Sequence, residues 1–239
     1  MKGAAMKVGQ MLALEARDYL PDEVVQILEQ LQNKVSFMPH ETVQAILKKE
    51  LANSFHQIIN LSENPIAAAS IGQVHRADFQ GHPVAIKIQY PGVRESIYSD
   101  IKILGSALKG LSSILRRDIE LDGLLQEFSE VFVQETDYVH EALCATEYRT
   151  AASEFESVIV PRVHPGLSTQ TVLTMDFEEG RPLTQWIRNE NPSAQARHEM
   201  GRMILELYSR EFCEWGLVQT DPNPGNFLVR PKTHQLILL

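Results

Sequence analysis

Two stretches of the 239-residue chain hold side chains that could act on a phosphate group. Lys87 lies in an apolar run, VAIKIQ, at residues 84–89, and a lysine is costly to bury unless it meets an anion. Farther along, Asp221 precedes Asn226 by five positions in a loop rich in proline and glycine. The prolines stiffen this loop, so both side chains can be aimed at little entropic cost. A lysine for an anion, a carboxylate that accepts a proton and an amide that binds magnesium together suit phosphoryl transfer.

Both patterns occur in protein kinases, and each also has an ordinary interpretation. A Val-Ala-Ile-Lys run carries the phosphate-binding lysine on the third kinase strand, and a D-x-x-x-x-N loop supplies the catalytic base and a magnesium ligand. The alternatives are a surface strand whose lysine reaches into water, and a simple turn, because Asp, Asn, Pro and Gly dominate turns. Both patterns in this order favour catalysis, with Asp221 as base or water-orienting group and Asn226 as magnesium ligand.

Three acidic residues on one predicted helix provide partners for cations. Glu141 is assigned to Lys87, because the kinase lysine pairs with a helix glutamate that fixes its ammonium against the phosphates. Asp137 and Glu141 are four positions apart, so on a continuous helix they share a face and repel each other by a few tenths of a kcal/mol. The alternative is a solvated acidic face. The other two acids, Glu135 and Asp137, are assigned to the neighbourhood of Lys7 and Gln10 on the first predicted helix.

The pattern of apolar residues predicts the elements that position these side chains. Alternation over 74–79 and 84–89, with a turn at 80–83, predicts a β-hairpin. Helical spacing predicts helices over 2–17, from residue 22, after Pro39, and over 93–115, 121–153, 183–189 and 193–215. Further strands are expected at 56–61, 157–163, 170–177, 227–230 and 235–239. The resulting fold is α+β, with a helical extension over 1–55 followed by two lobes: a β-rich lobe over 56–177 and a partial helical lobe over 178–239.

Composition excludes several function classes. The net charge of −9 argues against nucleic acid or anionic lipid as a non-specific partner. No stretch reaches the roughly 18 apolar residues of a membrane span, and charged residues interrupt any N-terminal signal core. Cys144 and Cys213 lie in apolar helical contexts and are expected to be buried thiols in a reducing compartment.

Five motifs in sequence order carry a resemblance to a known family. They are Lys7-Val-Gly-Gln10, Ala67-Ala-Ala-Ser-Ile-Gly-Gln-Val-His75, Val84-Ala-Ile-Lys87, Glu135-Thr-Asp137 and Asp221-Pro-Asn-Pro-Gly-Asn226. Together they closely resemble the UbiB/ADCK atypical kinase-like family. The alanine loop and the Lys-x-Gly-Gln helix are specific to that family, and the match spans essentially the whole chain.

The resemblance implies a protein-kinase-like fold and Mg-dependent use of ATP, with ATP and Mg²⁺ as cofactors. It implies that the Lys-x-Gly-Gln helix packs over the active site against the Glu-x-Asp motif, with a regulatory role. It also implies a part in ubiquinone (coenzyme Q) biosynthesis, with proteins of that pathway and an isoprenoid lipid as partners. The implied location is cytoplasmic or peripheral to the inner membrane, on the bacterial cytoplasmic face or in mitochondria.

The resemblance also assigns nucleotide contacts. The alanine loop replaces a glycine-rich loop, and alanine restricts which backbone amides can point at phosphates. The residues of this loop and its strand are Ala67, Ala68, Ala69, Ser70, Ile71, Gly72, Gln73 and Val74, joined by Lys87. The hinge toward the adenine consists of Asp176, Phe177, Glu178 and Glu179.

One part of the family pattern is expected beyond the last residue. Kinases place an Asp-Phe-Gly after the last strand, and this chain ends at Leu239, so we expect a fragment of a longer chain with half a magnesium site and little turnover of its own. Two other functions stay open. One is a small-molecule kinase of the aminoglycoside-phosphotransferase type, which lacks the alanine loop and the Lys-x-Gly-Gln helix. The other is a scaffold that binds lipid or partner proteins and switches with ATP without turnover.

Overall fold

The structure is a computed structural model that describes residues 37–69, 71–115, 122–219 and 224–239. The chain divides into two compact units: the first comprises Met1–Glu141 and Pro165–Thr174, the second Ala142–His164 and Met175–Leu239. Several predictions lie outside the described residues, namely the helices over 2–17 and from 22, and Lys7, Gln10, Ser70 and Asp221. The domain boundaries at 55 and 177 stay predictions.

The described residues form six α-helices and nine strands. The helices are α1 His40–Leu51, α2 Val93–Leu115, α3 Asp122–Glu135, α4 Tyr138–Ala151, α5 Leu183–Asn189 and α6 Ala194–Arg210. The strands are β1 Ile58–Ile59, β2 Ala67–Ala68, β3 Gly72–Phe79, β4 His82–Gln89, β5 Val158–Ile159, β6 Val172–Asp176, β7 Arg181–Pro182, β8 Phe227–Val229 and β9 Leu236–Leu238. A π-helical turn, Glu211–Trp215, continues α6. The strands predicted at 56–61 and 157–163 are shorter than expected.

The first unit is built on a sheet in the order β1-β3-β4-β6, in which β1, β2 and β4 each pair antiparallel with β3. The predicted hairpin is present as β3–β4, with Phe79 opposite His82 at the turn and Val74 opposite Lys87. Its turn residues Gln80 and Gly81 have φ of 51° and 81°. Two successive positive φ values are what a two-residue type I′ hairpin turn requires. The register of the hairpin therefore follows from its turn.

The two faces of this hairpin differ in burial, as alternation along each strand demands. One face lies in the core; its residues are Gln73, His75, Ala77, Val84, Ile86 and Ile88. Helix α1 supplies Val43, Leu47 and Leu51 to the same core cluster. On the other face Val74, Ala85 and Lys87 are half-buried. The hairpin thus presents one face to the core and leaves the other accessible.

The prediction of one continuous helix over 121–153 is wrong, because the helix is interrupted between α3 and α4. Asp137 lies at the break and accepts a hydrogen bond from the backbone N–H of His140 at 3.0 Å. The Asp137 carbonyl accepts the first intrahelical bond, from Glu141 N at 3.0 Å. An aspartate that caps the next helix in this way competes with continuation of the previous one. Asp137 therefore caps α4 from outside the helix and does not share a continuous helix face with Glu141.

The second unit packs helices α5 and α6 on a small sheet in the order β5-β9-β8-β7. Strands β8 and β9 are antiparallel, whereas β5 and β9 are parallel. Trp186, Met200, Leu207, Phe227 and Leu236 are among the buried residues of its core. The side chain of Ser193 caps α6 by accepting from Ala196 N at 3.1 Å. In this unit Cys213 is exposed, so the prediction that it is buried is wrong.

Candidate functional site

Lys87 and Glu141 form an ion pair on the accessible face of the first unit's sheet. Lys87 Nζ donates to Glu141 Oε1 at 2.7 Å and to Oε2 at 3.0 Å, so the contact uses both carboxylate oxygens. The side chains are 24% and 39% exposed. A pair this exposed adds about 1 kcal/mol or less to stability. The predicted pairing is present, and its main physical consequence is a fixed position for the ammonium group.

Tyr138 also holds Lys87, and the sequence reasoning missed it. The Lys87 ammonium lies 4.7 Å from the centroid of the Tyr138 ring, within the range of a cation–π interaction. Tyr138 is fully buried, and burial, followed by the charge of Glu141, raises its pKa well above the usual value. Its hydroxyl makes no hydrogen bond to any other described residue. The available signal was its spacing of three from Glu141, which places both in the first turn of α4 on one side.

Val74 and Ala85 share the accessible face with Lys87. Val74 lies directly opposite Lys87 across the hairpin, and Ala85 precedes Lys87 by two positions on β4. Directly paired residues and residues two apart on a strand project to the same face. Both are half-buried, so Lys87 stands beside a small apolar surface. Ala85 was not among the predicted site residues.

The alanine loop is the connection of a tight β2–β3 hairpin. Ala67 pairs with Val74 and Ala68 with Gln73. At the tip, Ala69 N donates to Gly72 O at 3.0 Å, and Gly72 N donates to Ala69 O at 3.5 Å. These two amides are used within the hairpin. The loop therefore offers an anion fewer backbone donors than its length suggests.

Gly72 and Ile71 serve the packing of this hairpin. A Cβ atom on Gly72 would lie 2.2 Å from the carbonyl oxygen of Ile88, so only glycine lets the strands approach this closely. Ile71 is buried, and its carbonyl accepts from Tyr90 N at 2.9 Å. The structure thus gives both residues a packing role, whatever contact they make with a nucleotide.

The side chain of Gln73 lies on the core face, opposite to Lys87. Its place among the predicted nucleotide contacts stays a prediction, and such a contact would have to come from its backbone. Gln73 Oε1 accepts from Met38 N at 2.7 Å, and its Nε2 lies 2.7 Å from His75 Nε2. His75 Nδ1 lies 2.9 Å from the Ser62 carbonyl and donates to it, so His75 Nε2 accepts from Gln73. Burial lowers the pKa of His75, aided by nearby His40 and opposed by the Ser62 hydrogen bond. The group is a neutral, fully paired core network.

Asp137 acts locally as the cap of α4. The backbone hydrogen bond from His140 is the main cause that lowers its pKa, with smaller help from Gln170 and Arg94. Next to it, the carbonyl of Thr136 accepts from Gln89 Nε2 at 2.8 Å. Glu135 is half-buried at the end of α3. Since Lys7 and Gln10 lie outside the described residues, their predicted meeting with these acids stays a prediction.

In the second unit, charged partners anchor the predicted hinge residues. The Asp176 carboxylate contacts His164 Nε2 at 2.7 Å and Arg162 Nε at 3.6 Å, and Asp176 N donates to Arg162 O at 2.9 Å. Glu178 forms an ion pair with Arg230. Phe177 and Glu179 lie in the same segment and are half-buried and exposed, respectively. The side-chain contacts fix the course of the backbone over 176–178.

Asn226 ends a short 3-10 turn, Pro224–Asn226, directly before β8. Its carbonyl accepts from Leu239 N at 2.9 Å, which ties the turn to the end of β9. A carboxamide oxygen is a ligand that Mg²⁺ accepts. Among the described residues there is no cluster of three or more His, Cys, Asp or Glu side chains that could hold a metal. Asn226 thus fits the predicted magnesium role as one oxygen ligand, and Asp221 lies outside the described residues.

Comparison with known proteins gives the class. Residues 30–239 match the family model of the ABC1 atypical kinase-like domain, so the chain belongs to this family, as the UbiB/ADCK resemblance predicted. It is 36% identical over 241 positions to atypical kinase COQ8B, mitochondrial, of Danio rerio, an alignment with 100% of this chain and 38% of the relative. It is 34% identical to atypical kinase COQ8, mitochondrial, of Saccharomyces cerevisiae, with 100% of this chain and 47% of the relative.

A solved structure supports the same fold. The complex of Rv3197 with erythromycin from Mycobacterium tuberculosis matches 99% of this chain and 60% of its own, at a TM-score of 0.68 and 31% identity. The predicted α+β, protein-kinase-like fold class is confirmed. The chain spans less than half the length of the two curated relatives named above. Among the described residues, no helix has the length and apolar character needed to cross a membrane.

Proposed function

We propose that this chain is the nucleotide-binding part of an atypical kinase-like enzyme that uses Mg-ATP. The observation that best supports this proposal is the arrangement around Lys87. Its ammonium contacts both carboxylate oxygens of Glu141 and the ring of Tyr138. An ammonium group has three donors, and Glu141 takes two. The remaining donor belongs to a cation that is fixed in place and 24% exposed. Such a group is suited to a phosphate oxygen, and its neighbours Val74 and Ala85 offer an apolar surface.

The other roles follow the family pattern. Asp221 acts as base or as the group that orients a water, and Asn226 as a magnesium ligand. Magnesium, when bound, neutralises charge on the phosphate oxygens. The backbone of residues 176–179 is assigned to the adenine. Lys7 and Gln10, with Glu135 and Asp137, are assigned to regulation.

The proposed biological role is support of ubiquinone biosynthesis. The names of the relatives, atypical kinases COQ8 and COQ8B, both mitochondrial, support this role and a mitochondrial location. Proteins of that pathway and an isoprenoid lipid are the proposed partners, with peripheral association at the inner membrane or, in bacteria, its cytoplasmic face. The net charge of −9 supports the expectation that nucleic acid is not a partner.

The proposal is tested by Mg-ATP turnover of the full-length protein beside its Asp221→Asn variant. We expect slow turnover that the variant loses, because the amide cannot accept a proton. The variant should still bind Mg-ATP, which a titration checks. Equal turnover by both proteins would refute the role of Asp221.

A second function, a scaffold that switches with ATP, is favoured by the alanine loop. The amides of Ala69 and Gly72 bond to each other's carbonyls within the β2–β3 hairpin, so they are not directed at a phosphate. Weak backbone support of the phosphates suits binding better than fast turnover. Tight Mg-ATP binding without turnover in the full-length protein would make the scaffold the correct function.

A further inference from the structure

Glu211 is a fully buried carboxylate in the second unit, and the function proposed above does not use it. It is the first residue of the π-helical turn that follows α6. Among the described residues it forms no ion pair, although a buried carboxylate is costly without compensation. The adjacent Arg210 pairs instead with Glu154 and Glu214. Residues at π-helical turns often serve a function, so the contacts of Glu211 need an explanation.

Two donors compensate Glu211. Its Oε1 accepts a hydrogen bond from the hydroxyl of Tyr148 on α4. Its Oε2 accepts from the backbone N–H of Gln219, eight positions farther along the chain, at 3.4 Å. Burial, followed by the bond to Glu211, raises the pKa of Tyr148, so the phenol stays protonated and remains a donor. The carboxylate therefore joins helix α4 to the backbone that follows the π-turn.

The chain is shaped to bring Gln219 back to Glu211. Gly216 ends the π-turn with φ of 60°, a left-handed conformation that glycine adopts without strain. Just before it, Trp215 packs edge-on against Tyr148 with ring centroids 5.7 Å apart. The same Tyr148 thus holds the first residue of the turn through its hydroxyl and the last through its ring. Tyr148 therefore contacts the π-turn at both ends, and the segment after Gly216 starts from a defined point.

We propose that Glu211, supported by Tyr148, is a positioning residue that tethers the backbone at Gln219 and so sets where the Asp221 loop begins. Asp221 follows Gln219 by two positions. The inference rests on the proposed function, because only a catalytic Asp221 gives the contact between Glu211 and Gln219 a purpose. Displacement of a reacting group by about 1 Å can lower the reaction rate by on the order of 100-fold. Glu211 acts only through this backbone and touches no reactant.

The test uses the full-length protein and three variants. Glu211→Gln keeps the shape but sets an NH₂ group against one of the two donors. Tyr148→Phe removes only the hydroxyl and keeps the ring on Trp215. Glu214→Gln is the control, because Glu214 lies on the same turn with its side chain 53% exposed. Two experiments are made: steady-state kinetics, which gives kcat and KM for ATP, and hydrogen exchange of the amides at 217–219.

We expect Glu211→Gln to lower kcat by about 10- to 100-fold with KM for ATP changed less than about 3-fold, because the loop is misplaced while the nucleotide still binds. Tyr148→Phe should lower kcat by a smaller factor. Both should speed exchange at 217–219, and Glu214→Gln should change neither the kinetics nor the exchange. Unchanged kcat and unchanged exchange in Glu211→Gln would overturn the inference. So would faster exchange throughout the second unit with a parallel loss of Tm, since that result describes a purely structural residue.

The two proposals fail in different ways. A wild-type protein without Asp221-dependent turnover would contradict the proposed function, and the exchange comparison would still decide whether Glu211 tethers the backbone at Gln219. Faster exchange confined to 217–219 would then uphold the tether, and unchanged exchange would refute it.

Discussion

The two faces of the β3–β4 hairpin both carry polar side chains, and they use them differently. On the core face, Gln73 and His75 are fully buried, neutral and bonded to each other, to Met38 and to Ser62. On the accessible face, Lys87 and Glu141 are charged and partly exposed. A buried network with every partner present specifies packing, whereas an accessible, oriented charge is ready for a ligand. Residue type alone does not separate the two uses; burial and register do.

The largest expected effect that separates the faces is on nucleotide affinity. Lys87→Ala removes the ammonium, and we expect Mg-ATP to bind about 10- to 100-fold more weakly, as the loss of a charged hydrogen bond implies. Stability should change by less than about 1 kcal/mol, because the ion pair is partly exposed. Isothermal titration and chemical denaturation of the full-length protein measure the two quantities.

The control is Arg76→Ala, which removes another cation from the same face of β3. It should leave Mg-ATP affinity unchanged. If Lys87→Ala bound Mg-ATP as tightly as wild type, the accessible face would be an ordinary solvated surface. The two faces of the hairpin would then not differ in ligand binding.

On the core face, the expected effect is on stability as a function of pH. Burial lowers the pKa of His75 below its unfolded value of about 6.5, so the unfolded chain binds the proton first. The stabilisation is complete above about pH 6.5 and is lost as the pH falls from there through the folded pKa, at a slope of up to about 1.4 kcal/mol per pH unit from this one group. Urea denaturation between pH 7.5 and pH 5 should show the loss.

His75→Gln should flatten that pH dependence, whereas His82→Gln should preserve it, because His82 is exposed at the turn of the same hairpin. An identical pH profile for wild type and His75→Gln would show that the buried network does not depend on a neutral histidine.

Tyr138 should have an intermediate effect that depends on its ring and not on its hydroxyl. Tyr138→Leu removes the cation–π contact with Lys87, and we expect about 2- to 5-fold weaker Mg-ATP binding. Tyr138→Phe keeps the ring and removes a buried hydroxyl that has no partner among the described residues, so affinity should be unchanged and stability equal or higher. A Phe variant as weak as the Leu variant would assign the role to the hydroxyl.

The smallest effect is expected at the alanine loop. Ala69→Gly frees the backbone at the tip of the β2–β3 hairpin by about 0.5–1 kcal/mol. The ratio of the ATP and ADP affinities should therefore shift by about 2- to 5-fold, measured by competition titration. A constant ratio would remove the proposed role of the loop in nucleotide preference.

Much of the accessible face could be predicted from the sequence. Alternation with period two and the turn at Gln80-Gly81 specify the hairpin and its register. The Val-Ala-Ile-Lys run and an acid on a later helix specify the Lys87–Glu141 pair. Each feature is local in sequence or belongs to a pattern with a known physical purpose.

Other features could not be read from the sequence, for physical reasons. The helical pattern continues across residues 136–137, so the cap formed by Asp137 is hidden among neighbouring acids. Gln73 belongs to the alanine-loop motif, but strand alternation turns its side chain into the core. Glu211 follows the buried Leu207 by four positions, so it lies on the buried side of the helix, although its charge makes it look like a surface acid.

The central claim, that Lys87 on the accessible face binds the nucleotide, is tested most directly by chemical labelling of lysines. The full-length protein is treated with an amine-reactive reagent in Mg²⁺ alone and in Mg-ATP, and each lysine is quantified by mass spectrometry. We predict that Mg-ATP protects Lys87 while Lys49, exposed on α1, is labelled equally in both conditions. Equal labelling of Lys87 with and without nucleotide, under conditions where Mg-ATP binding is measured, would contradict the account.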